Sequence, residues 1–159
     1  MSRVSGRLAT ELKQTRPFRS RRQEGTLGLL RTADVVRRKI SEVVEPHGLT
    51  LQQYNVLRIL RGAGPDGLPT LEIASRMIEA SPGITRLLDR LEEKRLVARV
   101  RCPKDRRRVL CTATPEALRL LASLDAPVHA ADDGALRMLT DRQTEALIAL
   151  LDAIRSGPS

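Results

Sequence analysis

The chain has 159 residues, 28 Lys and Arg against 19 Asp and Glu, and a formal net charge of +9. Hydrophobic residues make up 41% but aromatics only 1%, so Leu, Ile, Val and Ala must fill the core, which favours helices over a β-sandwich. The length suits one domain, and the charge suits a polyanionic partner. Two cysteines build no disulfide framework, and no apolar run approaches the ~20 residues of a membrane span. The basic N-terminus lacks an apolar segment and does not read as a signal peptide, so a reducing, cytoplasmic setting is expected.

Residues 1–23 form a basic N-terminal arm, with seven Lys/Arg against Glu11 and Glu24 over residues 1–24. Pro17 and weak periodicity suggest an extended or partly ordered segment. Three readings stay open: Arg16, Arg19, Arg21 and Arg22 track a DNA backbone, Phe18 anchors the arm across a dimer, or the arm is an uninvolved tail.

Residues 24–48 hold a helix from about Gly25 to Val44. Leu29, Ala33, Val36, Ile40 and Val43 recur at helical steps, and Pro46-His47-Gly48 ends it. Thr50 and Gln53 form a capping box that opens a second helix, with Leu57 and Leu60 inward. The run Gly62-Ala63-Gly64-Pro65-Asp66-Gly67 is a loop by composition. A short helix is expected from about Thr70 to Met77.

The next helix is expected to start with Ser81 as cap and Pro82 in the first turn, and to run to about Lys94. Its inner face is Ile84, Leu87, Leu88 and Leu91, leaving Thr85, Arg86, Asp89, Arg90 and Glu93 outside. Val97–Arg101 and Val109–Thr112 have strand character and flank a charged tip, as in a hairpin. Residues 86–108 carry ten Lys/Arg against four acids. Residues 115–159 add a helix opened by Thr114-Pro115-Glu116, with Leu118, Leu121 and Leu124. A last helix is capped by Thr140 and Gln143, with Leu147, Leu150, Leu151 and Ile154 on one face. This region is acidic on balance and lies apart from the polyanion surface.

The expected fold is mainly α with a small β-hairpin wing: a winged helix-turn-helix over residues 49–114. N-terminal (24–48) and C-terminal (115–159) dimerisation helices flank it. The flanking helices carry one-sided apolar stripes, which pairing of two chains would cover, although folding back onto their own domain would also do so. A helix of this kind fits the major groove of double-stranded DNA. Ser81, Gly83, Thr85 and Arg86 are the base-reading candidates, and Arg90, one turn on, is a phosphate contact. Alternatively, Arg86 and Arg90 pair with Asp89 or Glu93 on a solvated face. In the wing, Lys104, Arg106 and Arg108 supply charge for phosphates.

Several stretches in family order carry a resemblance: Leu49-Thr50-Leu51-Gln52-Gln53-Tyr54-Asn55-Val56-Leu57, Leu68-Pro69-Thr70-Leu71-Glu72-Ile73-Ala74, Ile84-Thr85-Arg86-Leu87-Leu88-Asp89-Arg90-Leu91-Glu92, then Asp105-Arg106-Arg107 and Ala113-Thr114. Over roughly residues 25–155 the chain resembles the MarR family of bacterial transcriptional regulators. The resemblance implies a homodimer, a palindromic operator and relief of binding by a small molecule. It also implies that the Asp105 carboxylate orients Arg107 for the minor groove. An effector pocket near Val43, His47, Tyr54 and Arg58, suited to a small phenolic or aromatic acid, is expected on the same ground. Arg95 stands where the family usually has Gly, and Ala117 replaces another common Gly. The peroxide-sensing branch uses a cysteine near the N-terminus, which this chain lacks.

The leading expectation is therefore a homodimeric, effector-relieved repressor. The alternatives are an effector-independent DNA-coating or architectural protein and a protein-interaction module. No P-loop, dinucleotide turn or nucleophile–base pattern suggests an enzyme or a cofactor. His47, His129 and the two cysteines lack metal-ligand spacing. Cys102 and Cys111 lie on the two wing strands, whose register the sequence leaves open. They are either a redox pair or, as a reducing cytosol favours, two reduced thiols.

Overall fold

The computed structural model describes residues 6–103, 105 and 108–157. Lys104, Arg106 and Arg107 of the wing tip lie outside the described residues. The chain divides into two compact units, Met1–Lys39 and Ile40–Ser159.

In the first unit, a short helix α1 (Arg7–Glu11) closes through Lys13, whose φ is 51°, while the Gln14 N–H donates to the Ala9 carbonyl at 2.9 Å. The basic arm is thus partly helical. The long helix α2 (Arg21–Val44) begins four residues before the expected Gly25. Ser20 explains the early start: its hydroxyl accepts the Gln23 N–H at 3.1 Å, satisfying a first-turn donor.

In the second unit, α2 ends in a 3₁₀ turn over Glu45–His47, closed by Gly48 at φ 74°. Helix α3 (Leu51–Ala63) starts on the Thr50–Gln53 capping box, with both reciprocal bonds formed. Gln53 is the buried polar side chain of this core, and it also accepts from Lys94 Nζ at 3.2 Å. Strand β1 (Leu68–Pro69) leads into helix α4 (Thr70–Ser75), which stops two residues short of the expected end at Met77. Helix α5 (Ile84–Glu93), strands β2 (Val97–Arg101) and β3 (Val109–Ala113), and helices α6 (Pro115–Leu136) and α7 (Asp141–Arg155) follow. The sheet has three strands in the order β1-β3-β2, all pairs antiparallel, rather than the two of a bare hairpin.

Two residues of β1 were invisible to a periodicity argument, which needs at least four. Their place depends on Gly67 at φ 69°: a Cβ there would stand 2.6 Å from the Cys111 carbonyl oxygen and 2.7 Å from Thr112 Cγ2. Only a glycine lets the chain pass this close to β3. The core gathers Leu57 and Leu60 of α3, Ile73 of α4, Leu88 and Leu91 of α5, Cys111 of β3, and Leu121 and Leu124 of α6. Among the described residues, no helix is long and apolar enough to cross a membrane.

Candidate nucleic-acid interface

Helix α5 divides as its spacing predicts. Ile84, Leu88 and Leu91 are buried and Leu87 is half-buried against the core, while Thr85, Arg86, Arg90 and Glu93 are exposed. The N-terminal cap differs from expectation. Gly83, not Ser81, is the capping residue, no side chain bonds to it, and Pro82 lies in the preceding turn. Gly83 at φ −99° and ψ 25° is outside the helical region. Glycine is the residue least inclined to hold helical angles, so the helix starts after it. Among the described residues no side chain caps the first turn of this helix.

The C-terminal end of α5 turns on Arg95. With φ at 59° it takes the left-handed position, the Arg95 N–H donates to Glu92 O at 2.8 Å, and the Leu96 N–H donates to Leu91 O at 2.9 Å. This is a Schellman closure built without glycine. Leu96 is buried, as often accompanies that motif. The Arg95 carbonyl accepts from the Thr114 hydroxyl at 2.8 Å, and the same hydroxyl oxygen accepts the Ala117 N–H at 3.2 Å to cap α6.

The wing follows directly. Arg99 pairs with Cys111 and Arg101 with Val109, and beyond the strands the Cys102 N–H reaches the Arg108 carbonyl at 2.8 Å. The Arg108 N–H donates to Asp105 O at 3.0 Å, closing the tip, and Arg101, Asp105 and Arg108 are exposed. This register separates the two cysteines. Cys102 lies three residues along β2 from the partner of Cys111, about 10 Å away and on the other face. A disulfide needs Cα atoms within about 7 Å, so the hairpin does not hold the pair within bonding reach. Cys111 is fully buried, and burial pushes its thiol pKa up, against smaller opposing effects of Arg99 and Thr70.

The charges of α5 are sorted by a residue that sequence reasoning passed over. Arg99 of β2 donates from Nη2 to Asp89 at 2.6 Å and from Nη1 to Glu92 at 3.0 Å. Its bond to Asp89 holds the guanidinium pKa above its ordinary value despite partial burial. Asp89 is therefore engaged by the wing, whereas Arg86 and Arg90 make no ion pair among the described residues. The alternating pattern of β2 placed Arg99 on the face of Val97 and Cys111. The signal was there, but it pointed to a core position where an arginine needs acidic partners that only the fold supplies.

Exposed basic side chains on the outer face of α5, beside a hairpin carrying more arginines, suit the negative grooves of duplex DNA. A family model described as the MarR family matches residues 49–109. The regulator MhqR of Bacillus subtilis is 30% identical over 112 residues, covering 70% of this chain and 75% of that protein. The chain belongs to the MarR family. A MarR transcription factor of Planctomyces limnophilus is 40% identical with a TM-score of 0.65, over 85% of this chain and 98% of that one. CouR of Rhodococcus jostii, solved bound to p-coumaroyl-CoA, is 27% identical with a TM-score of 0.74, over 89% of this chain and 99% of that one. Like other MarR proteins, this one is a DNA-binding transcriptional regulator and not an enzyme.

The residues expected around a MarR effector pocket are dispersed in character. Tyr54 is buried and its pKa is raised by that burial, while Arg58 lies over its ring at 5.9 Å. His47 is exposed on the 3₁₀ turn, and Val43 is half-buried against the core. Of two shallow grooves, one of about 200 Å³ is lined by Leu60, Arg61, Gly64, Pro65, Ala113, Pro115 and Leu118, and none of the four predicted residues lines it. The other, of about 380 Å³, lies between α1 and α2.

Proposed function

We propose that the protein is a homodimeric repressor that binds a palindromic operator, with half-sites about one helical turn apart, and is released by a small aromatic acid. Helix α5 lies in the major groove, where Ser81, Gly83, Thr85 and Arg86 face base edges and Arg90 grips phosphate. In the wing, Lys104, Arg106 and Arg108 meet phosphates, and Arg107, oriented by Asp105, enters the minor groove. The observation that carries this reading is the division of α5: its outward arginines are unpaired among the described residues while Asp89 and Glu92 are held by Arg99.

Dimerisation through the helices of 24–48 and 115–159 is supported by α7. No residue of α7 is buried, and Leu150 and Ile154, four residues apart on one face, are each more than half exposed. An isolated chain would leave that stripe in water. Val43, His47, Tyr54 and Arg58 are assigned to the effector site on the family resemblance, and the similar protein CouR was solved bound to p-coumaroyl-CoA.

The test is selection from a random duplex pool, followed by titration of the enriched DNA with excess nonspecific competitor. An inverted repeat bound by two chains is expected. Equal binding to every duplex, with a steep salt dependence, would instead indicate a DNA-coating protein. Arg107→Ala is expected to weaken operator binding strongly, and so is Asp105→Ala although it removes a negative charge. Unchanged or tighter binding by Asp105→Ala rules out the brace. A panel of phenolic acids is expected to raise the melting temperature and weaken DNA binding, and no response to any member counts against the effector site.

A further inference from the structure

We infer that Arg99 is a positioning residue that locks the recognition helix to the wing, so that the two DNA-reading elements dock as one rigid piece. Arg99 leaves β2 on the core side of the hairpin, in register with Cys111, and only 26% of its side chain is exposed. Its guanidinium then reaches along α5. Nη2 donates to Asp89 Oδ1 at 2.6 Å and approaches the Thr85 carbonyl at 3.5 Å, while Nη1 donates to Glu92 Oε2 at 3.0 Å.

Those three acceptors come from successive turns of the eight-residue stretch Thr85–Glu92 and converge on one guanidinium. A single contact would leave the helix free to pivot against the sheet, whereas acceptors from three turns meeting one planar, part-buried guanidinium oppose that rotation. A planar fork of donors can hold two carboxylates at once, which an ammonium group cannot do with the same geometry. The latch has a second effect. Asp89 stands beside Arg86 and Arg90 in sequence, and pairing with Arg99 turns its charge toward the wing rather than toward incoming phosphates. Thr85, whose carbonyl lies 3.5 Å from Nη2, is flanked by Arg86, so the latch reaches the turn of α5 that is proposed to face the bases.

This role rests on the proposed reading of α5 as a sequence-specific helix, and the experiment separates the two. Arg99→Lys, Arg99→Ala and Asp89→Asn are titrated against the duplex enriched by the wild-type protein and against a scrambled duplex, across a salt series. Folding is followed by circular dichroism. A latch predicts that Arg99→Lys, with charge retained, loses about tenfold or more on the enriched duplex, the size of one spoiled base contact. Its affinity for the scrambled duplex stays within about twofold and its salt slope is unchanged. Asp89→Asn is expected to weaken specific binding too, although removing a negative charge near DNA would by itself tighten it.

Wild-type specific affinity in Arg99→Lys overturns the inference, as does tighter specific binding by Asp89→Asn. Equal loss on both duplexes in Arg99→Ala, with a salt slope smaller by about 0.9, makes Arg99 a phosphate ligand instead. Should Arg99→Ala fail to fold, the other two variants decide. If the wild-type protein enriches no sequence, the specific reading of α5 fails, and the positioning role fails with it.

Discussion

Replacing Arg95 with glycine is expected to stabilise the protein. At φ 59°, the Arg95 Cβ crowds the following carbonyl, an arrangement worth about 1–2 kcal/mol of strain for an ordinary residue. Glycine removes the clash but adds freedom to the unfolded chain, which returns roughly 0.5–1 kcal/mol. Both backbone bonds of the turn, from Arg95 N to Glu92 O and from Leu96 N to Leu91 O, survive the change, as does the carbonyl that receives the Thr114 hydroxyl. The net gain is therefore about 0.5–1 kcal/mol, or roughly 2–4 °C in melting temperature at the upper end for a chain of this length. Thermal unfolding at fixed protein concentration measures it, with Arg95→Ala as the control that keeps the Cβ. A gain for alanine equal to that for glycine would refute the argument, because it would trace the effect to the arginine stem or charge rather than to φ. A gain in stability joined to a weaker salt slope on DNA would show that Arg95 also contacts phosphate.

Gly67→Ala is expected to destabilise by about 1–3 kcal/mol, since the new Cβ meets the Cys111 carbonyl and the residue is held at positive φ. A neutral result in urea unfolding would mean that β1 can lift away from β3. Thr114→Ala removes the cap of α6 and the bond to Arg95 O together, and a loss of about 1–2 kcal/mol is expected in the same assay. Arg61 donates to both oxygens of Asp125, at 3.0 and 2.9 Å, and this bond holds the Asp125 carboxyl below its ordinary pKa. A depressed folded pKa gives stability that is complete above the unfolded value of about 4 and lost as pH falls through the folded one. Asp125→Asn is thus expected to flatten the acid limb of a stability profile while leaving its shape above about pH 5 unchanged. Parallel acid limbs for the two proteins would show that the pair forms equally in the unfolded chain.

The sequence announced the helices that carry their own punctuation. Thr50 with Gln53, Thr114 before Pro115, and Thr140 with Gln143 each cap a helix at the expected residue. It misjudged the start of α5 because Ser81 and Pro82 looked like a cap and first turn, while the deciding residue was Gly83, whose freedom let the backbone delay the helix. The arginines of α5 were legible from spacing, since one helical face must be apolar to close the core. The partner of Asp89 was not, because it arrives from a strand ten residues away and depends on the hairpin register. The same register decided the relation of Cys102 to Cys111, which no count of residues between them could supply.

The register also accounts for the acids in a helix proposed to read DNA. Glu92 and Asp89 would be a liability in an isolated DNA-binding helix, where they weaken attraction to phosphate. Three positions apart on α5, they instead meet one guanidinium from β2, so on the proposed reading the acids that would reduce affinity are the ones that fix geometry. A lysine placed where it meets phosphate can restore affinity, but not the angle between helix and wing. On the proposed reading, a chain with 28 basic residues commits one of them, Arg99, to alignment and leaves Arg86 and Arg90 for DNA. On this account, adding surface lysines to a variant lacking Arg99 recovers binding to any duplex but not the preference for one.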